Sequence, residues 1–211
     1  MTAAPGFDFI YLASQSPRRS QLLDQLGVAH RLLLADASED AEALEQVRAG
    51  EAPARYVTRV TALKLEAAVQ RLQGRGLPAA PILCADTTVA LGRHILGKPA
   101  DAQEARDMLR SLCGQTHRVL TAVAVADGAR RSQALSVSRV RFAPVSAAEI
   151  ARYVASGEPM GKAGAYGIQG LAAAFISHIA GSYTGIMGLP LFETAQLLRS
   201  VGVAGKLHPT P

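Results

Sequence analysis

Tryptophan is absent from the 211-residue chain, aromatic residues make up 5% of it, and cysteine occurs only twice, as Cys84 and Cys113. One cysteine lies in an apolar run and the other in a helical pattern. They form neither a C-x-x-C pair nor a disulfide framework, so free thiols in a reducing compartment are expected. No run of 18 apolar residues occurs, and the opening MTAAPGFDFIYLAS lacks a cationic segment ahead of a long apolar one. A membrane span and a signal peptide are therefore not expected, and the cytoplasm is the expected compartment. Runs of one charge are missing as well. The formal net charge is +5, but the cations are scattered singly or in pairs, which argues against a nucleic-acid surface and suits a small anionic ligand. Lysine is the scarce cation: of 22 basic residues only Lys64, Lys98, Lys162 and Lys206 are lysines. A chain that uses arginine by default makes each of these four a question.

What is present is an alternation of short apolar runs and amphipathic stretches, read as one catalytic domain over residues 1–211 with tails at 1–8 and 203–211. Strands are expected at Phe9–Ala13, Arg31–Ala35 and Ile82–Ala85, the last ending at Asp86. Thr88–Leu91 and His94–Leu96 form a hairpin around Gly92-Arg93, and Val119–Ala126 and Ala134–Phe142 form another around Asp127-Gly128. Helices are expected over Pro17–Leu26, from Tyr56 to about Gln73, from an Asp101 cap to Cys113, from a Ser146/Glu149 capping box to Ala155, and from Pro190 to Leu198. The acidic segment 36–51 reads as loop with a short helical turn, and Gly161–Gly188 as a glycine-rich stretch. Helices covering a mixed sheet imply an α/β fold whose cleft lies between two lobes.

Four constellations carry chemistry. Ser14-Gln15-Ser16-Pro17-Arg18-Arg19 joins a strand to the first turn of a helix, where free N–H groups, two hydroxyls and two guanidiniums can hold an anion; a capped helix with solvated arginines uses the same residues. Asp86, in Cys84-Ala85-Asp86-Thr87-Thr88, can hold a divalent cation or take a proton from water, or it is a turn aspartate. Gly97-Lys98-Pro99 follows the first hairpin, which folds Lys98 back toward Asp86 to offset phosphate charge. Gln169, in Gly161-Lys162-Ala163-Gly164-Ala165-Tyr166-Gly167-Ile168-Gln169-Gly170, offers one acceptor and two donors to a base edge. Lys64 on the long helix reads by itself as a snorkelling surface lysine, and Glu39, Asp40, Glu42 and Glu45 read either as metal ligands or as a solvated face. The five histidines have no metal-ligand spacing and are read as structural.

In this order the motifs resemble the Maf family, the septum-formation-inhibitor-like nucleoside triphosphate pyrophosphatases. The resemblance rests on L-A-S-Q-S-P-R-R-S-Q-L-L (12–23), A-D-T (85–87), G-K-P (97–99), S-L-C-G-Q-T-H-R-V-L-T-A-V (111–123), G-K-A-G-A-Y-G-I-Q-G (161–170) and G-S-Y-T-G-I-M-G-L-P-L-F-E-T (181–194). It implies an elongated mixed sheet of the Maf/ITPase-like kind and a homodimer. The implied activity is hydrolysis of a nucleoside triphosphate to the monophosphate and pyrophosphate with a divalent cation, Mg²⁺ or Mn²⁺, in a house-cleaning role. By resemblance Asp86 accepts the proton from water and, with Glu39, stands on the metal side. Lys64 and Lys98 face the phosphates, Ser14, Ser16 and Arg19 form the phosphate loop, and Arg18, Thr87 and Gln169 bear on base selection. The last two blocks are similar to the dTTP/UTP branch; the alternatives are the 7-methyl-GTP branch and a nucleotide-binding division regulator without turnover. One departure is local: Ser38 stands where the family has the first of two acids, with Asp36 and Asp40 as the neighbouring carboxylates.

Overall fold

A computed structural model of the chain describes residues 7–36, 39 and 43–203. Seven strands form one mixed sheet: β1 (Ile10–Leu12), β2 (His30–Leu32), β3 (Ile82–Leu91), β4 (His94–Leu96), β5 (Thr116–Asp127), β6 (Arg130–Phe142) and β7 (Ile176–Ala180). Their order is β2-β1-β3-β5-β6-β7, with β4 added to the end of β3. The helices are α1 (Pro17–Leu26), α2 (Pro53–Gly74), α3 (Ala102–Leu112), α4 (Ala147–Ala155), α5 (Tyr183–Met187) and α6 (Leu191–Ser200). Alternation along β3 assigns its faces. Ile82, Cys84 and Ala90 pack with residues of α2, whereas Leu83, Ala85 and Val89 join the larger core built with α1, α3, α4 and α6.

Local signals produced the helix ends. Asp101 accepts a hydrogen bond from the N–H of Glu104, and Ser146 and Glu149 complete a reciprocal capping box. Such caps each contribute about 1 kcal/mol. The β5–β6 hairpin turns through Gly128 (φ +53°), a left-handed conformation that a side chain would resist.

Two expectations are corrected. The first is that Asp86 does not end a strand: β3 runs unbroken for ten residues, and Asp86 pairs with Ala122 in its middle. The hairpin with β4 involves only Val89–Leu91 of that strand. The physical reason lies in the sheet edge. Pairing with β1 reaches only Leu83, and pairing with β4 begins at Val89, so on that side the backbone between them has no partner strand. Polar residues can occupy a strand interior where the sheet opens, and the opening is where the cleft forms. The second is that the strand expected at Arg31–Ala35 lies at His30–Leu32; the glycine-rich stretch, to which no element was assigned, holds β7, which pairs antiparallel with β6, and then α5.

Candidate active site

A cleft of about 870 Å³ lies over the open edge of β3, lined by the Ser14–Arg19 loop, α2, Lys98, the 158–170 segment and Ile186–Gly188. Six cationic side chains line it, Arg18, Arg19, Lys64, Arg71, Lys98 and Lys162, against three carboxylates, Glu45, Asp86 and Glu158. Such an excess in a concave, partly dry site favours a multiply charged anion.

Strand alternation sends Asp86 toward α2 and Thr87 to the opposite face. On α2 the sheet-facing stripe runs Val57, Val60, Thr61, Leu65 and Ala68, and Lys64 falls within that helical spacing. Its ammonium therefore points at the sheet, contrary to the snorkelling reading. Lys64 Nζ donates to Asp86 Oδ1 at 2.5 Å and to Glu45 Oε1 at 2.7 Å, and Lys98 Nζ donates to Glu45 Oε2 at 3.0 Å. Asp86 is 9% exposed. Burial works against the Lys64 ammonium, but Asp86 and Glu45 outweigh it and hold its pKa above the usual lysine value. Burial likewise opposes the Glu45 carboxylate, and Lys64 and Lys98 overcome it, leaving its pKa low.

Although the family resemblance points to Glu39, of the four acids that the sequence offers as metal ligands or as a solvated face Glu45 is the one that, among the described residues, enters the site. It ends a 3-10 turn, Ala43–Glu45, whose last carbonyl accepts from Tyr56 Oη at 2.9 Å. Glu39 is placed differently: Arg71 grips both its oxygens, at 2.7 and 2.6 Å, and Glu39 does not line the cleft. Asp40, Ser38 and Glu42 lie outside the described residues. The structure thus brings Asp86, Lys64 and Lys98 together around Glu45 and leaves Glu39 on Arg71.

The Ser14–Arg19 loop is built for an anion more than for capping. Ser16 is the N-cap of α1, yet its hydroxyl makes no capping bond. Ser14 Oγ accepts from the Ser16 N–H at 3.2 Å and from Arg19 Nη1 at 2.9 Å, and Arg19 Nε donates to the Gly188 carbonyl at 2.8 Å. Burial lowers the Arg19 pKa below the ordinary arginine value. Gly188 has φ +115°, and a Cβ there would sit 3.7 Å from Arg19 Nε, so its carbonyl is offered by a conformation glycine adopts readily. The Arg18 guanidinium makes no hydrogen bond within the described residues, and Arg18 lines the cleft.

Thr87 Oγ1 is 2.9 Å from Thr121 Oγ1, which donates at 2.7 Å to the Gly185 carbonyl. Since a hydroxyl has one proton, Thr87 must donate to Thr121, and it keeps only acceptor capacity toward the cleft. Gln169 is exposed on the far wall with its amide unbonded within the described residues.

Among the described residues no group of three or more His, Cys, Asp or Glu forms a metal centre. The donor set nonetheless fits a hard divalent cation that shares its shell with substrate. Asp86 and Glu45 are two oxygen donors converging on a single cationic nitrogen, and Mg²⁺ is commonly held by one or two carboxylates together with phosphates and water.

The sequence model of the family described as Maf-like protein matches residues 9–201. The dTTP/UTP pyrophosphatase of Albidiferax ferrireducens is 68% identical over 195 residues, 92% of this chain and 98% of that protein. That of Polaromonas sp. is 66% identical over 199 residues, 94% of this chain and 98% of that protein. A solved dITP/XTP pyrophosphatase from Mycobacterium abscessus aligns with a TM-score of 0.41 at 14% identity, over 64% of this chain and 75% of that one.

Proposed function

The chain belongs to the Maf family, and on that premise we propose that it is a dTTP/UTP pyrophosphatase, a hydrolase that releases pyrophosphate and leaves the nucleoside monophosphate. The observation that carries the chemistry is a nearly buried carboxylate, Asp86, held by Lys64 inside a cleft rich in cations.

Arg18, Arg19 and the hydroxyls of Ser14 and Ser16 bind phosphate oxygens, and Lys64 and Lys98 turn from Glu45 toward the triphosphate. Asp86 Oδ1 is taken by Lys64, which leaves Oδ2 to accept the proton of the water that attacks the α-phosphorus. The bond to the bridging oxygen of the α- and β-phosphates then breaks, and Lys98 and Arg19 neutralise charge on the departing pyrophosphate. A divalent cation, Mg²⁺ or Mn²⁺, would be held by Asp86 and Glu45, with Glu39 able to join only by releasing Arg71. When bound it supplies Lewis-acid polarisation of phosphate oxygens. Thr87 and Gln169 face the base from opposite walls, and Arg18 completes the selection.

We place this activity in a single catalytic unit that acts as a homodimer in the cytoplasm, with a house-cleaning role. The two free cysteines fit a reducing compartment. Among the described residues no helix is long and apolar enough to cross a membrane. The test is pyrophosphate release with Mg²⁺ or Mn²⁺ from a panel of dTTP, UTP, modified pyrimidine triphosphates, 7-methyl-GTP and ITP. Release from dTTP and UTP above the others is expected; preference for 7-methyl-GTP would overturn the branch, and no release from any would sink the enzymatic reading. Light scattering decides the dimer.

A further inference from the structure

Gln169 sits in a tight turn whose geometry is fixed from outside. The Gly170 N–H donates to the Gly167 carbonyl at 3.1 Å, making Ile168 and Gln169 the two central residues of a β-turn. One side of this turn is set in the core. Ile168 and Tyr166 are each 6% exposed, Tyr166 Oη is 2.8 Å from His117 Nε2, and its ring packs edge-on against Phe142. The other side meets Glu158, and beside it the stem of Lys162. Glu158 Oε2 accepts from the Leu171 N–H at 2.9 Å, and its Oε1 accepts from Tyr153 Oη at 3.0 Å. Its backbone carbonyl accepts from Lys162 Nζ, whose stem lies against Gly167: a Cβ there would be 3.1 Å from Lys162 Cε. A Cβ on Gly170 would overlap Glu158 Oε1, so the carboxylate fills the space a side chain would need.

We propose that Glu158 is a positioning residue for base selection: it clamps the 167–170 turn and so fixes where the Gln169 amide meets the base. This rests on the reading above, in which Gln169 faces the base. No group among the described residues bonds the Gln169 side chain, so the turn sets its reach. A carboxylate is the suitable clamp because it accepts from two donors at once, whereas an alanine would leave the Leu171 N–H and the Tyr153 hydroxyl without this partner. Substrate groups held by misplaced hydrogen bonds lose selectivity steeply, since displacements near 1 Å can cost on the order of 100-fold.

The experiment measures kcat and KM for dTTP and dGTP with Glu158→Ala, Glu158→Gln, Gln169→Ala and the double variant Glu158→Ala/Gln169→Ala, alongside thermal unfolding. Glu158→Ala is expected to lower the dTTP-over-dGTP ratio of kcat/KM roughly tenfold, raising KM for dTTP more than it lowers kcat. Glu158→Gln keeps an acceptor for the Leu171 N–H and the same bulk beside Gly170, and restores most of that ratio. In the Gln169→Ala background, Glu158→Ala should cause no further loss of selectivity. Should Glu158→Ala fail to fold, Gly170→Ala, which drives the carboxylate out of its seat, is expected to give the same loss. If Gln169→Ala reduces selectivity while neither Glu158→Ala nor Gly170→Ala does, or if the two effects simply multiply, the clamp is refuted and the role of Gln169 stands. If Gln169→Ala leaves the ratio unchanged, the base-reading role falls and the clamp falls with it.

Discussion

Replacing Lys64 by methionine isolates what the ammonium does between Asp86 and Glu45. Methionine has similar length and volume but no donor. The two oxygens now held by one nitrogen, at 2.5 and 2.7 Å, are no more than about 5 Å apart. At an effective dielectric near 20, two unit charges at that separation repel by about 3 kcal/mol. The side chains of Lys64, Asp86 and Glu45 are 21%, 12% and 27% exposed, so solvent screens only part of this; Lys98, still on Glu45, trims it further. The sign follows from linkage. In the native protein Glu45 has a lowered pKa, so its contribution is present above the unfolded carboxylate value and lost as pH falls through the folded one. Lys64 has a raised pKa, so its contribution is present below the unfolded lysine value and lost only at high pH. Across neutrality the native pair is therefore indifferent to pH. In Lys64→Met the carboxylate pair instead retains a proton into the near-neutral range, and stability falls as pH rises and removes it. The Tm deficit of the variant is expected to widen between pH 5 and pH 8 by about 2 kcal/mol, or roughly 4–8 °C for a chain of this size. Pyrophosphate release should drop on the order of 100-fold or more, as for loss of a preorganised charge at a phosphoryl centre. A Tm deficit that is equal at pH 5 and pH 8 would refute the electrostatic account, and undiminished turnover would remove Lys64 from the phosphate site.

Asp86→Asn keeps the shape and one acceptor for Lys64 but removes the base; kcat is expected to fall by roughly 10²–10⁴ with the fold intact by circular dichroism, and near-normal turnover would exclude the proton-acceptor and metal roles together. Glu45→Gln and Glu39→Gln separate the two acids: titration of activity with Mg²⁺ should show a larger rise in the half-activating concentration for Glu45→Gln, and the reverse order would restore Glu39 to the metal side. Burial drops the pKa of His117, 1% exposed, to about 4, so stability is lost as pH falls from the unfolded value near 6.5 toward 4, by about 3 kcal/mol in all. Urea unfolding of His117→Leu should show a shallower loss over that interval than the native chain, and parallel curves would contradict it.

What the sequence discloses and what it hides divide along the reach of the interaction. Asp101 and the Ser146/Glu149 box set helix ends through residues three apart, so the local text suffices. Asp86-Thr87-Thr88 reads as a strand end because polar residues interrupt the apolar run. Only the stopping of β1 at Leu12 and the end of β4 at Leu96, opposite Val89 and not visible from β3 itself, allow the strand to continue through them. β7 is hidden for the same reason: its partners, such as Val140 for Ile179, are far away in the chain. Lys64 is half legible. Its spacing from Val57, Val60 and Ala68 puts it on the buried stripe, and counting that stripe position by position turns its ammonium inward, toward the sheet. Arg71 lies three residues beyond Ala68 on the same stripe and is claimed by Glu39. One helix face thus presents two cations at separate points, and each recruits its own acid from the 39–45 segment. Local composition does not choose between Glu39 and Glu45, since both belong to the same acidic, alanine-rich stretch. The choice is made by where the chain returns: Tyr56 holds the Glu45 carbonyl and fixes that residue opposite Lys64 and Lys98, and the site acquires its second carboxylate from a segment whose composition reads as a solvated face.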